Sequence, residues 1–164
     1  MECPPIELRV VSKEDVLKIH EWLQDDEVAE AWFGRYSYGD SAHLAYNPGK
    51  AASFSEAKWK EVFEDSDHKI FSVYTGEEHI GEVHLAIEES LGDGQLSVLI
   101  GRKDLWHKGF GSSATNKIIE FGFAQLGLFR IWVDVTAVSY THLRAKRPRQ
   151  ISYAVYSLKK KWGG

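Results

Sequence analysis

The first patterned stretch of the chain, residues 6–11 (IELRVV), is short, rich in β-branched side chains and free of breakers, and it predicts a strand. Ser12, Lys13, Glu14 and Asp15 follow as a capping box, in which the Ser12 hydroxyl accepts from an orphan N–H of the first turn and Asp15 reaches back to the cap. Val16, Ile19, His20 and Leu23 then recur at helical spacing. The acids Asp25, Asp26 and Glu27 suit the positive start of a second short helix ending near Trp32. Residues 34–52, with Gly, Tyr, Ser, Asn and one proline, read as a loop. A second capping box, Ser53 to Glu56, opens a helix whose Trp59, Val62 and Phe63 share one face.

Residues 69–74 (KIFSVY), 79–88 (HIGEVHLAIE) and 95–101 (QLSVLIG) are separated by turns at 75–78 and 91–94, the pattern of an antiparallel meander. In the middle segment Glu82, His84, Ala86 and Glu88 point to one face. From 109 to 126 the spacing changes to helical, with Ala114, Ile118 and Phe121 on one row, Thr115, Ile119, Gly122 and Leu126 on the next, and Gly127 as the C-terminal cap. Residues 129–135 (FRIWVDV) form another strand. Helices set between a first strand and a meander make the class α/β, with a mixed, mostly antiparallel sheet and flanking helices.

A chain of 164 residues that is 43% hydrophobic can bury one core and has little room for a second. It has neither an apolar run of membrane-span length nor the pattern of a signal peptide, so the expected address is the cytoplasm, with no membrane partner. Cys3 is the only cysteine, which excludes an internal disulfide and a cysteine metal cluster, and no metal constellation is apparent. Charge is unevenly spread: residues 138–164 hold seven of the 20 basic side chains and none of the 24 acidic ones, so residues 1–137 carry 13 − 24 = −11. An acidic body argues against nucleic acid and is compatible with a cationic amine, or simply with a solvated acidic surface.

Chemistry concentrates in residues 95–114, QLSVLIGRKDLWHKGFGSSA: a strand, a polar loop, two glycines one residue apart, then a helix. Gly109 and Gly111 let the backbone approach a ligand and turn several N–H groups the same way. With the helix start at Gly111, Ser112 and Ser113 they suit a pyrophosphate, beside the mobile charge of Lys108. Such a pair also marks ordinary tight turns.

With its order of elements and the run Trp106, His107, Lys108, Gly109, Phe110, Gly111, the chain resembles the GCN5-related N-acetyltransferase (GNAT) superfamily, in particular the group acting on ribosomal proteins, polyamines and aminoglycosides. That family's loop begins with Gln or Arg where this chain has Trp106; a Trp or Tyr there, followed by Gly-Lys-Gly, is common in related groups. The resemblance covers most of residues 6–136. It implies a GNAT fold and direct transfer of an acetyl group from acetyl-CoA to a primary amine, on a small molecule or a protein N-terminus. The cofactor would pair along Val98, Leu99 and Ile100 and seat its phosphates on Trp106 to Ser112, with a backbone N–H of Leu99 or Ile100 polarising the thioester carbonyl. A group must also take the ammonium proton. Glu82 and His84 are the candidates, Glu82 first, although both also fit the solvent face of a half-covered strand. Substrate choice would rest on residues 33–52. A homodimer is admitted. A non-catalytic acyl-CoA-binding or regulatory module on the same fold is the rival reading.

Past residue 137 the pattern ends. Residues 138–145 (VSYTHLRA) are identical to a translated transposase-end adapter of short-read sequencing libraries, and residues 151–158 (ISYAVYSL) match a translated flow-cell end at six of eight positions. Residues 1–136 are therefore expected to be a truncated acetyltransferase domain, lacking the family's C-terminal helix and strands, and 137–164 a non-native tail. The expectations that follow are an unpaired or poorly paired edge on the 129–135 strand, an irregular or loosely packed tail, and a chain that is aggregation-prone and inactive as it stands.

Overall fold

The computed structural model describes residues 3–31, 46–134 and 153–157, with Asp134 and the last segment described through the backbone alone. Strand β1 (Glu7–Val10) leads into α1 (Lys13–Trp22), α2 (Asp26–Glu30), α3 (Pro48–Ala51) and α4 (Glu56–Phe63). Then come β2 (His68–Thr75), β3 (Glu78–Glu88), β4 (Asp93–Ile100), α5 (Phe110–Ala124), β5 (Arg130–Asp134) and β6 (Tyr153–Ser157). The strands lie side by side in chain order, antiparallel throughout except for the parallel pair β4–β5. This is the expected α/β class with a mixed, mostly antiparallel sheet.

Alternation along the central strands sorts the core into two layers. Val83 and Leu85 of β3, with Leu96 and Val98 of β4 and Ile131 and Val133 of β5, pack on Ala114 and Ile118 of α5. Gly122 lets α5 close down on the sheet, because a Cβ there would stand 2.6 Å from Ile131 Cδ1. On the opposite face Val16 and Ile70 meet Val62, while Ile19 and Val28 pack on Leu99. Glu82 and His84 belong to this second face, where the helices ahead of β2 cover them to 2% exposure each. The half-covered, solvent-facing reading of these two residues is corrected: helix packing from far upstream in the chain encloses both.

The Ser12 to Asp15 capping box forms as expected, Asp15 N–H donating to Ser12 Oγ at 3.1 Å and Ser12 N–H to Asp15 Oδ2 at 3.0 Å. The second box does not form. Ser55 rather than Ser53 is the cap of α4, accepting from Lys58 N–H at 3.1 Å. Within the stretch read as a loop, Asn47 caps a helical turn with Pro48 at its start, since proline needs no N–H partner there; residues 32–45, with Trp32 and most of the expected substrate loop, lie outside the described residues.

The expected unpaired edge of β5 is also corrected. Arg130 to Asp134 pair antiparallel with Tyr153 to Ser157, which places a strand where an irregular tail was expected. An exposed strand edge accepts an extended segment through backbone bonds alone, whatever the side chains.

Leu85 contacts the α5 layer from the centre of the sheet and is fully buried, whereas Val10 at the edge is 79% exposed. Leu85→Ala should lower unfolding stability by roughly 2–5 kcal/mol and Val10→Ala by about 0.5 kcal/mol or less, measured by denaturant melts. Equal losses would mean that the layer under α5 does not carry the fold.

Candidate functional site

Strands β4 and β5 start together and then part. The parallel ladder joins Asp93, Gly94 and Gln95 to Arg130, Ile131 and Trp132, and among the described residues β4 runs on to Ile100 paired only with β3. Which backbone groups face the opening follows from the register. Gly101 N–H donates to Ile80 O at 2.9 Å, and a Cβ on Gly81 would stand 2.0 Å from Leu99 O, so Leu99 and Gly101 turn their backbone groups toward β3. By alternation Val98 and Ile100 turn theirs outward. Of the two expected carbonyl donors, Ile100 faces the opening and Leu99 does not. That part of the expectation is corrected: Leu99 serves through its fully buried side chain, packed with Ile19 and Val28.

The loop after β4 leads from this opening to the start of α5. Gly101 is required by Trp22, whose ring lies 2.1 Å from where a Cβ would be. Trp106, at the first position of the sequence signature, folds back and donates its indole N–H to Ile100 O at 2.8 Å. It thereby satisfies one outward group of β4 and ties the loop to the strand, leaving the Ile100 N–H facing out. His107 (φ 64°) and Gly109 (φ 90°) are both left-handed, which turns the loop back on itself at the helix start. The first bond of α5 runs from Ser113 N–H to Gly109 O at 3.0 Å, so Phe110, Gly111 and Ser112 present N–H groups ahead of it. Lys108 and His107 are exposed at the mouth, while the cations nearer β4 are engaged: Arg102 with Asp104 and Glu78, and Lys103 with Asp25 at 2.7 Å.

The residues present fit a phosphate-bearing ligand. Among the described residues a Cβ on Gly111 would meet nothing closer than Ile100 Cγ1 at 3.9 Å, so its missing side chain leaves room that they do not fill. Gly109, by contrast, is needed for its backbone angle and for Pro4, whose Cδ lies 3.0 Å from the Cβ position. Pro4 O in turn accepts from Ser113 Oγ at 2.7 Å, which fixes the first described residues against the loop.

Behind the opening, on the helix-covered face, lie two buried acids. Glu82 sits opposite Leu99 of β4 and Ser72 of β2, and the Tyr46 hydroxyl donates to its Oε1 at 2.6 Å. Burial raises its pKa from 4.5 to about 8; the Tyr46 bond works against that rise and the Asp15 charge adds to it. Asp15 behaves oppositely. Burial opposes its ionisation, yet donation from Tyr74 OH (2.5 Å), Ser72 Oγ (2.7 Å) and Ser12 N–H together holds it below the usual value. His84, two residues from Glu82, shares a hydrogen bond with His68 at 2.9 Å. Sequence reasoning found Glu82 and His84 but missed Tyr46, Ser72 and Tyr74, and took Asp15 for a cap alone. The available signal was the alternation of Ser72 and Tyr74 with the apolar Phe71 and Val73 on β2.

The parted strands and the glycine loop are matched by a family comparison. The acetyltransferase (GNAT) domain model matches residues 6–138, and the chain belongs to that family. Acetyl-CoA is the co-substrate that goes with it. Among solved structures the fold is similar to aminoglycoside acetyltransferase AAC(6')-Ib in complex with coenzyme A, at TM-score 0.69 and 16% identity over 98% of this chain and 100% of that one. It is also similar to the Vibrio cholerae spermidine N-acetyltransferase in complex with CoA and spermine, at TM-score 0.62 and 18% identity over 84% of this chain and 75% of that one. No curated protein matches the chain. Among the described residues no helix is long and apolar enough to cross a membrane.

The state of Glu82 makes a prediction about stability. Its proton is released near pH 4.5 in the unfolded chain and near 8 in the folded one, so between these values the folded state binds more protons and stability falls as pH rises. Below about pH 4.5 the contribution is fully present, and above about 8 it is lost. Denaturant melts across this window should show that decline in the parent and a flatter profile in Glu82→Gln. Identical slopes would mean that Glu82 is not held protonated.

Proposed function

We propose that this protein transfers an acetyl group directly from acetyl-CoA to a primary amine, with Glu82 as the group that takes the amine's proton. The observation that carries the proposal is the parting of β4 from β5 beside the start of α5, with Val98 and Ile100 turned into the opening and the space at Gly111 at its end. When bound, acetyl-CoA supplies the acyl group as an activated thioester. The outward backbone groups of Val98 and Ile100 can pair with an extended arm, and the Ile100 N–H can donate to an acyl oxygen. Phe110, Gly111 and Ser112 N–H, with Lys108, can hold phosphate. Binding both reactants in one cleft supplies the remaining advantage through proximity.

An amine in its ammonium form cannot attack. Glu82 is placed one strand from the opening, and a carboxylate raised toward neutral pH is a better base than an ordinary one while still ionising under working conditions. Because Glu82 is only 2% exposed, we assign the transfer to a path through water. His84, bonded to the half-buried His68, is the second candidate on the same face. The −11 charge of residues 1–137 supports a cationic substrate, and spermine and kanamycin, the amines bound in similar structures, are of that kind. Residues 137–164 are read as adapter-derived and outside the enzyme proper.

Two substitutions test this. Gly111→Asp, which places a carboxylate in space the described residues leave open, should weaken CoA binding by at least roughly 10-fold in calorimetry without unfolding the chain. In a chain whose natural C-terminus has been restored, Glu82→Gln should leave CoA affinity intact and lower CoA release with a panel of amines by roughly 10²-fold. Unchanged CoA affinity in the first variant would overturn the cofactor site. Tight CoA binding with no turnover on any amine, in a chain whose natural C-terminus has been restored, would favour the non-catalytic module.

A further inference from the structure

Glu82 and Asp15 are both buried on the helix-covered face of the sheet, and their hydrogen-bond partners differ in number. Asp15 accepts from Tyr74 OH, Ser72 Oγ and Ser12 N–H. Glu82 accepts from the Tyr46 hydroxyl, and among the described residues no cation pairs with it. Ser72 links the two acids: its side chain donates to Asp15 Oδ2 at 2.7 Å while its backbone position faces Glu82 across β2 and β3. Tyr46 is 5% exposed and packed against Phe63, ring centroids 4.9 Å apart, so its hydroxyl is held in place.

The groups that face this pair come from every packed element. Helix α1 brings Asp15, the segment before α3 brings Tyr46, and β2 brings Ser72 and Tyr74. Strand β3 adds His79, whose Nδ1 lies 3.6 Å from Asp15 Oδ1, and His84, while β4 presents the apolar Leu99. Arg9 stacks over the Tyr74 ring at 4.3 Å.

We propose that Tyr46 and Asp15 are positioning residues that tune Glu82 from opposite sides: the Tyr46 hydroxyl favours the carboxylate by donating to Oε1, and the Asp15 charge favours the protonated acid. With the Tyr46 hydrogen on Oε1, Oε2 is the oxygen left to receive a proton. Asp15 can act in this way because its own three donors keep it ionised where Glu82 is not. The tuning gives the protein a base poised near neutral pH. Its catalytic meaning rests on the proposed role of Glu82; the tuning itself does not.

The test follows the Glu82 carboxyl directly, by carbon NMR titration of the full chain labelled at glutamate, with the resonance assigned through Glu82→Gln. Tyr46→Phe should move the Glu82 midpoint to higher pH by about one unit, and Asp15→Asn should move it to lower pH by a similar amount. A purely structural role for either residue would change stability without displacing the midpoint in opposite directions. Midpoints that stay fixed, or that move the same way in both variants, overturn the proposal. If Asp15→Asn does not fold, Tyr46→Phe decides alone: an alkaline shift supports the tuning and no shift refutes it. The pH profile of kcat, measured on the chain with its natural C-terminus restored, separates the two readings. Opposite NMR shifts that the kcat profile ignores uphold the tuning and remove Glu82 from the base role.

Discussion

An interior strand that loses its partner halfway along is the constraint on which the rest of the molecule turns. Beyond Gln95, β4 keeps β3 on one side and departs from β5 on the other, which leaves outward backbone groups at Val98 and Ile100 in the middle of a sheet. Unpaired backbone groups in a buried setting are unfavourable unless something satisfies them. Trp106 meets one of these needs from within the chain by donating to Ile100 O. Among the described residues nothing else pairs with them, and an extended ligand could do so. The α5 N-terminus and its left-handed approach through His107 and Gly109 lie beside the same opening, so a ligand with an extended arm and a phosphate end fits both features at once.

The opposite face of the sheet shows how one residue can join folding to chemistry. Asp15 caps α1 through its box with Ser12, and that cap places its carboxylate against Ser72 and Tyr74 of β2. Helix α1 is thereby anchored to the sheet by polar bonds as well as by Val16 and Ile19. The same anchoring sets a negative charge on the face of the sheet that holds Glu82, whose hydrogen-bond partner among the described residues is the Tyr46 hydroxyl. Structural requirement and proton affinity are therefore set by the same few contacts. Changes to the α1 cap should be felt in the titration of the site.

Much of this was legible in the sequence where the signal is local. The first capping box, the meander of β2 to β4 and the glycine start of α5 each depend on neighbours within a few residues, and each formed as read. Alternation placed Glu82 and His84 on one face, but not which face the helices would cover, since that depends on segments tens of residues upstream. The second box failed because Ser53 and Ser55 are equally good caps in isolation, and the chain reaches helical geometry only after the latter. Tyr46 was hidden in a stretch read as loop, although Asn47 and Pro48 beside it are a helix-start signal. That Leu99 and Ile100 were left as alternative donors has a similar origin: strand identity can be read locally, whereas the side to which an N–H points follows from register with β3. The strand β6, finally, comes from backbone pairing at an open edge, which side-chain patterning does not announce.

The account is tested most directly by amide hydrogen exchange with and without CoA, resolved to single residues. It predicts that CoA slows exchange at Val98 and Ile100 and at Phe110, Gly111 and Ser112, while Leu99, whose N–H faces β3, is protected to the same degree in both states. Slowing at Leu99 with no change at Val98 and Ile100 would contradict the register of the opening, and no change at any of these amides would contradict the site.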